Sequence, residues 1–347
     1  MMKIGSRSIG GDSPCFIIAE LSANHNGRLD VAIETIRAAK KAGADAIKLQ
    51  TYTPDTLTID CDNEYFKIEQ GTLWDGKTLY ELYKEAFTPW EWHEELFKVA
   101  EEEGLICFSS PFDNTAVVFL EQLNVPAYKI ASFEIQDIPL IKYAASKGKP
   151  IIISTGIAEE KDIALAVNTC KEVGNNEVIL LKCTSSYPAP LELANLTTIP
   201  DLKERFHVEV GFSDHTYGSL APTIAVTLGA KVIEKHFILD KSIGGPDADF
   251  SLDFEEFSEM VSKVRDTEKL LGEVSYELSE KVKGNRKFAR SLFVVEDVKK
   301  GDTITEENVR SIRPGYGLHP KYYEEILNKE FTEDVKKGAP LSLKMIK

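Results

Sequence analysis

Between Cys15 and about Gly272 the chain alternates short, near-continuous apolar runs with stretches of helical period. The runs are CFIIAE (15–20), AIKLQ (46–50), LICFSS (105–110), AYKIAS (127–132), PIIIST (150–155), VILLKC (178–183), VEVGFS (208–213) and KVIEKHF (231–237). Amphipathic spacing predicts helices over Val31 to Lys41, Trp90 to Glu103, Asp162 to Val173, Pro222 to Leu228 and Phe254 to Leu271. Strands that are apolar on both sides are parallel strands covered on both faces. Eight such strand–helix units predict an α/β fold, a closed (β/α)₈ barrel, over residues 1–272. An open, doubly wound sheet usually carries a Gly-rich phosphate turn after its first strand. Here Leu21-Ser-Ala-Asn-His-Asn-Gly27 follows instead.

Two segments depart from this rhythm. The connection from Tyr52 to about Thr88 is long, and reads either as a lid or substrate-binding insertion or as a peripheral helical decoration. After Gly272 a charged stretch, 273–287, reads as an extended linker to a small β-rich domain over 288–347. That domain holds Glu-Asp-Val-Lys-Lys-Gly twice, at 296–301 and 333–338, which suggests two related hairpin units. Its small size makes it marginal alone, so it is expected to dock on a barrel.

Composition narrows the function. With 41 Lys and Arg against 56 Asp and Glu, the formal charge is −15, unsuited to a binder of nucleic-acid backbones. Five cysteines without a CxxC pair suit a reducing cytoplasm. No apolar stretch approaches the roughly 20 residues of a membrane helix, and no basic n-region precedes Cys15, so a cytoplasmic protein without membrane partners is expected.

The strands end in polar groups: Glu20; Lys48 and Gln50; Ser109 and Ser110; Lys129, Ser132 and Glu134; Ser154 and Thr155; Lys182 and Ser185; Ser213 and His215; Glu234 and His236. Barrel active sites lie at these ends. Lysines among hydroxyls suit a small molecule carrying phosphate and carboxylate. The competing reading pairs Lys48 and Lys129 with Glu20 and Glu134 in an ion network. His215 and His236 end neighbouring strands and, with an adjacent carboxylate, suit a divalent cation such as Mn²⁺. Ser213-Asp214-His215 is no triad, because alternation turns Asp214 to the other face. His93 and His207 read as structural; for His25 and Asn24 a binding role and a loop hydrogen bond both remain.

Ile17-Ile-Ala-Glu20 with Asn24-His-Asn-Gly27, Ile47-Lys-Leu-Gln-Thr51, Phe108-Ser-Ser-Pro-Phe112, Tyr128-Lys-Ile-Ala-Ser132, Ile153-Ser-Thr-Gly156, Gly211-Phe-Ser-Asp-His-Thr216, Glu234-Lys-His-Phe237 and Gly245-Pro-Asp247 resemble the sialic acid synthase family over essentially the whole chain. Arg313-Pro-Gly315 lies in a segment similar to that family's antifreeze-like (SAF, β-clip) domain. Thr51 to Thr58, Leu73 to Lys77 and Arg313 to Lys321 are more similar to its pseudaminic acid branch than to its N-acetylneuraminate branch.

The resemblance implies a transferase that condenses phosphoenolpyruvate with an acylated amino-sugar aldehyde and releases phosphate. It implies a 2,4-diacetamido-2,4,6-trideoxy sugar of L-altro configuration, with N-acetylneuraminate or legionaminate synthesis as the alternative. It assigns a divalent metal (Mn²⁺, with Mg²⁺ or Co²⁺ as alternatives) to His215 and His236. Phosphoenolpyruvate falls to Lys48, Ser110, Lys129, Ser132, Ser154, Ser185 and Ser213, and the sugar to Glu20, Tyr187 and Asp247. Glu134 is the candidate for handling the attacking water. Arg313 would reach the sugar's acyl group from the partner of a domain-swapped homodimer, since a linker of some 15 residues spans roughly 50 Å when extended. Trp74, Tyr80 or Phe112 could face the sugar's 6-deoxy end. Two other classes remain on the residues alone: a carbohydrate- or ice-binding protein, and a metal-dependent aldolase acting on pyruvate.

Overall fold

The computed structural model describes residues 2–69, 71 and 74–347. Leu73, the first residue of one of the resembling segments, lies outside the described residues. The chain forms two compact units, Met1–Gly272 and Glu273–Lys347.

In the first unit a short hairpin, β1 (Met2–Ile4) with β2 (Arg7–Ile9), precedes the eight parallel strands of a closed barrel. These are β3 (Phe16–Glu20), β4 (Ala46–Thr51), β5 (Ile106–Pro111), β6 (Tyr128–Ile130), β7 (Ile151–Ser154), β8 (Val178–Cys183), β9 (Glu209–Asp214) and β10 (Val232–His236), with β10 closing on β3. The strands lie within a residue or two of the apolar runs. The helices include Leu29–Lys41, His93–Glu102, Glu160–Glu172, Leu220–Thr227 and Phe254–Leu271.

Alternation within each strand builds two cores. Outward residues such as Ile17, Ile47, Leu49, Ile130, Ile153, Leu180 and Phe212 pack under the helices. Inward residues Phe16, Ile18, Ala46, Phe108, Ile152, Ile179, Leu181 and Val232 fill the lower barrel, where Ile4 and Ile9 of the hairpin join them. Gly211 is required there: a Cβ would lie 2.4 Å from the Val232 carbonyl oxygen. Above this apolar layer the inward positions turn polar.

The second unit has its own core of Leu292, Val294, Val298, Ile304, Val309, Ile326, Phe331, Val335 and Leu341. Its one ladder joins β11 (Ser291–Val294) to β12 (Val309–Ile312). The two six-residue repeats pair with each other rather than forming two hairpins: Val298 bridges Val335, and Lys299–Asp334 and Lys336–Asp297 are reciprocal ion pairs at 2.8 and 2.7 Å. The second copy runs into Pro340, which has no N–H for a ladder. The 273–287 stretch is exposed but not extended throughout, because Ser279 caps a short helix, Glu280–Gly284. Among the described residues no helix is long and apolar enough to cross a membrane.

On the outer face of the barrel Asp214 and Lys235, both fully buried, form an ion pair at 2.6 Å. Removing one partner leaves the other charge unpaired in a dry layer. Lys235→Met is expected to cost about 3–5 kcal/mol of stability, measured by urea unfolding. A loss below about 1 kcal/mol, the level of an exposed pair, would contradict this account.

Candidate active site

The upper inward positions of the barrel carry Glu20, Lys48, Gln50, Ser110, Lys129, Ser154, Cys183, Ser213 and Glu234, and His215 and His236 complete them at the ends of β9 and β10. Lys48 and Lys129 are almost fully buried, as are Glu20 and Glu234. Lys48 Nζ lies 2.5 Å from Glu20 Oε2 and donates to Ser110 Oγ at 3.2 Å. Lys129 has no carboxylate so close. It donates to Ser154 Oγ at 2.7 Å and to the Ile130 carbonyl at 3.2 Å, and Glu234 Oε1 stands 3.7 Å away. Burial, reinforced by Lys48, lowers the Lys129 pKa. Burial raises that of Glu20 to about 7, against the pull of Lys48. Glu234 is held below the usual carboxylate range: burial opposes this, but Lys129, Lys48 and the Ser213 hydroxyl, at 3.0 Å, outweigh it.

Beside Lys129 the chain makes a cradle of hydroxyls. Gly156 approaches so closely that a Cβ would lie 2.1 Å from Ser185 Oγ and 2.7 Å from Ser132 Oγ. Its N–H donates to Ser132 Oγ at 3.1 Å, while Ser185 Oγ is buried without a hydrogen-bond partner. Glu134 sits on the turn Ser132–Glu134, with Oε2 likewise unpartnered. Its pKa is raised to about 7 by burial, against the nearby Lys129.

The opposite side of the mouth holds the histidines. Their rings are 5.3 Å apart, with Tyr187 packed 4.3 Å from His215 and Phe250 4.9 Å from His236. His215 Nδ1 meets the Thr184 carbonyl at 3.0 Å, which fixes its proton there and leaves Nε2 as the lone-pair donor. His236 Nδ1 is buried without a hydrogen-bond partner, and Asp247 Oδ2 is 3.8 Å away. Burial, then the neighbouring cations, hold His236 neutral. Burial is outweighed at His215 by Cys183 and the Thr184 carbonyl, which raise its pKa. With His215 deprotonated, the two imidazoles fit a divalent cation. Among the described residues no group of three or more His, Cys, Asp or Glu could hold one, so further positions would fall to water or substrate.

Family models place this geometry. The model described as the NeuB family matches residues 35–276, and that of the SAF domain matches residues 289–347. The chain belongs to the NeuB family. It is 54% identical over 340 residues to pseudaminic acid synthase of Campylobacter jejuni, covering 98% of each chain. It is 50% identical over 330 residues to pseudaminic acid synthase of Helicobacter pylori, covering 95% of this chain and 97% of that one. Among solved structures, N-acetylneuraminic acid (sialic acid) synthetase of Leptospira borgpetersenii matches with a TM-score of 0.72 at 33% identity, over 82% of this chain and 94% of that one.

Most strand-end residues converge, but three readings need correction. Ser109 faces outward, its hydroxyl 2.6 Å from Thr51 Oγ1, which also contacts His93. Lys182 also faces outward and donates to the Cys183 carbonyl at 2.6 Å. The carboxylate shared by the two lysines is Glu234, not Glu134, because Glu234 alternates inward between them. Of the three aromatic candidates, Trp74 reaches the site: its indole N–H donates to the Pro246 carbonyl at 3.1 Å and its ring lies 5.8 Å from Tyr187. Phe112 packs on Tyr52, and Tyr80 bonds Asp55. Trp74 thereby brings the long connection to the mouth. Asn24 and His25 are loop anchors, bonded to Phe237 and Thr88. Arg313 is exposed in the second unit, before a cis Pro314. Ser22, Cys183 and Gly156 received no individual role from sequence; a hydroxyl in a positive-φ turn leaves no periodic signal.

The raised Glu134 pKa has a definite sign for stability. The unfolded carboxyl releases its proton near 4.5 and the folded one near 7. The group therefore favours the folded state most below about pH 4.5, and that contribution is lost as pH rises through about 7. In urea titrations from pH 5 to 8, the stability of Glu134→Gln should gain on that of wild type as pH rises. Parallel curves would show that Glu134 is not desolvated.

Proposed function

We propose that this chain condenses phosphoenolpyruvate with 2,4-diacetamido-2,4,6-trideoxy-L-altropyranose and water, forming pseudaminic acid and phosphate. The observation that carries the reading is Lys129, a buried lysine whose nearest carboxylate, Glu234, stands 3.7 Å away and is shared with Lys48, beside a cradle of hydroxyls. A desolvated cation in that setting calls for an anion. Phosphoenolpyruvate supplies one at each end. The relatives named pseudaminic acid synthase, at 50% and 54% identity over nearly full length, support the choice of sugar.

In this reading Lys48, Lys129, Ser110, Ser132, Ser154, Ser185 and Ser213 bind the phosphate and carboxylate, and hold C3 of the enol toward the open-chain aldehyde. Glu20, Tyr187 and Asp247 receive the sugar. His215 and His236 would hold the divalent cation, Mn²⁺ first among the candidates, which when bound supplies Lewis-acid polarisation of the aldehyde. C3 bonds to the aldehyde carbon, water adds at C2, and cleavage of the C–O bond to phosphorus-bound oxygen releases phosphate and leaves the 2-keto acid. Glu134, when ionised, would take the proton of that water. Glu20, as the carboxylate paired with Lys48, would accept from the sugar's hydroxyls.

Arg313 is assigned to the sugar's acyl group from the partner of a domain-swapped homodimer. Exposed apolar residues on loops after β6 to β9 (Phe133, Ile157, Leu191, Leu193 and Tyr217) support a covering partner at the barrel mouth.

Phosphate release should be faster with the diacetamido sugar than with N-acetylmannosamine, and the reverse order would move the chain to another branch. Lys129→Met should raise KM for phosphoenolpyruvate about tenfold or more, the loss of a charge-assisted contact; an unchanged KM would make the lysine structural. Mixing Arg313→Ala chains with His215→Ala chains should restore activity to a fraction of dimers. A dead mixture would place each site within one chain.

A further inference from the structure

Ser22 combines three properties that packing alone does not explain. It lies in the turn after β3 with φ of 46°, the left-handed region where glycine is the ordinary occupant. Its side chain is buried, with the residue 3% exposed. Its hydroxyl is committed on both sides, accepting from Gln50 Nε2 at 2.9 Å and donating to Asp247 Oδ2. A backbone conformation of this kind persists where the surroundings over-determine it, and such positions gather at ligand sites.

The surroundings do over-determine it. Gln50 Nε2 also donates to Glu20 Oε1 at 3.1 Å, so a continuous chain runs from Glu20 through Gln50 and Ser22 to Asp247. This chain ties β3 and β4 to the loop after β10. Asp247 is held from the other end by Ser251, whose hydroxyl donates to its backbone carbonyl at 2.6 Å. Asn24, two residues after Ser22, donates to the Phe237 carbonyl and to Ser251 Oγ at 3.0 and 2.8 Å. Without the Ser22 hydroxyl, Gln50 Nε2 would keep its bond to Glu20, and Asp247 Oδ2 the long bond from the Ala23 N–H at 3.4 Å, and nothing would join the two side chains.

We propose that Ser22 is a positioning residue for the sugar: its hydroxyl, kept in place by a left-handed turn, sets Gln50 and Asp247 as one hydrogen-bonding edge for the polar groups of an acylated amino sugar. The inference rests on the function proposed above, in which Asp247 faces the sugar rather than phosphoenolpyruvate.

Two substitutions separate the hydroxyl from the backbone conformation. Ser22→Gly removes the hydroxyl but suits the turn, so its Tm should lie above that of Ser22→Ala. Ser22→Ala removes the hydroxyl and keeps the Cβ in the left-handed region, so Tm should fall. Both should nevertheless raise KM for the sugar roughly tenfold, as for one lost hydrogen bond to a charged group, with KM for phosphoenolpyruvate within about twofold of wild type. A merely structural serine predicts otherwise: Ser22→Gly near wild type, and both KM values moving together in Ser22→Ala. Either result overturns the assignment of Ser22 alone. Failure of the wild type to release phosphate from phosphoenolpyruvate with any acylated hexosamine would overturn the function first, and the role of Ser22 with it.

Discussion

Lys48 and Lys129 stand nearly dry at the top of a closed barrel, and a desolvated ammonium costs several kcal/mol unless charges and hydrogen bonds compensate it. The polar layer is arranged around that requirement. Glu20 compensates Lys48 at contact distance, and Glu234 lies 3.8 Å from Lys48 and 3.7 Å from Lys129. Ser213 steadies Glu234, and Ser154 takes the Lys129 ammonium directly. Compensation is unequal, and the inequality gives the site a direction. The Lys129 side, with Ser132, Ser154, Ser185 and the close backbone of Gly156, has no carboxylate at contact distance, Glu234 standing 3.7 Å away. The Lys48 side, with Glu20, Gln50, Asp247 and two histidines, is rich in carboxylates and lone pairs.

That polarity matches a reaction between an anion and a neutral polyhydroxylated aldehyde. The anion belongs where the ammonium has hydroxyls but no contact carboxylate, and the aldehyde where carboxylates and imidazoles can bind hydroxyls and a metal. The apolar layer beneath supplies the rigidity. Phe16, Phe108, Ile152, Leu181 and Val232 fill the barrel below the charges, so the lysines cannot retreat downward. Trp74, Tyr187 and Phe250 form an aromatic wall beside the histidines. Groups buried in such a place interact more strongly than they would in water.

The terminal unit is organised by a different rule. Its two six-residue repeats meet across the Val298–Val335 bridge, and each lysine finds the aspartate of the other copy. Those pairs are exposed and worth little individually. The buried aliphatic core beneath them carries the stability, while the reciprocal charges set the register of one copy against the other.

Much of this is legible in the sequence alone. Eight apolar runs, each followed by a helical period, specify a parallel barrel, because a strand apolar on both faces must be covered on both sides. Polar groups at every run's end specify the functional face. Alternation within a run sends Asp214 outward to Lys235, and it sends Ser109 and Lys182 outward in the same way, although their residue types suit the mouth. Other features needed the fold. Glu234 becomes the shared counter-ion only when β10 lies between β9 and β3, bringing together residues far apart in the sequence. Gly156 is required by hydroxyls on two other segments, and Ser22 by partners at positions 50 and 247. Local periodicity reports which face a side chain takes, because that is set by the backbone of its own strand. Which groups meet at the barrel mouth is set by closure of the sheet and by the loops, and those are long-range properties that no short window of sequence contains.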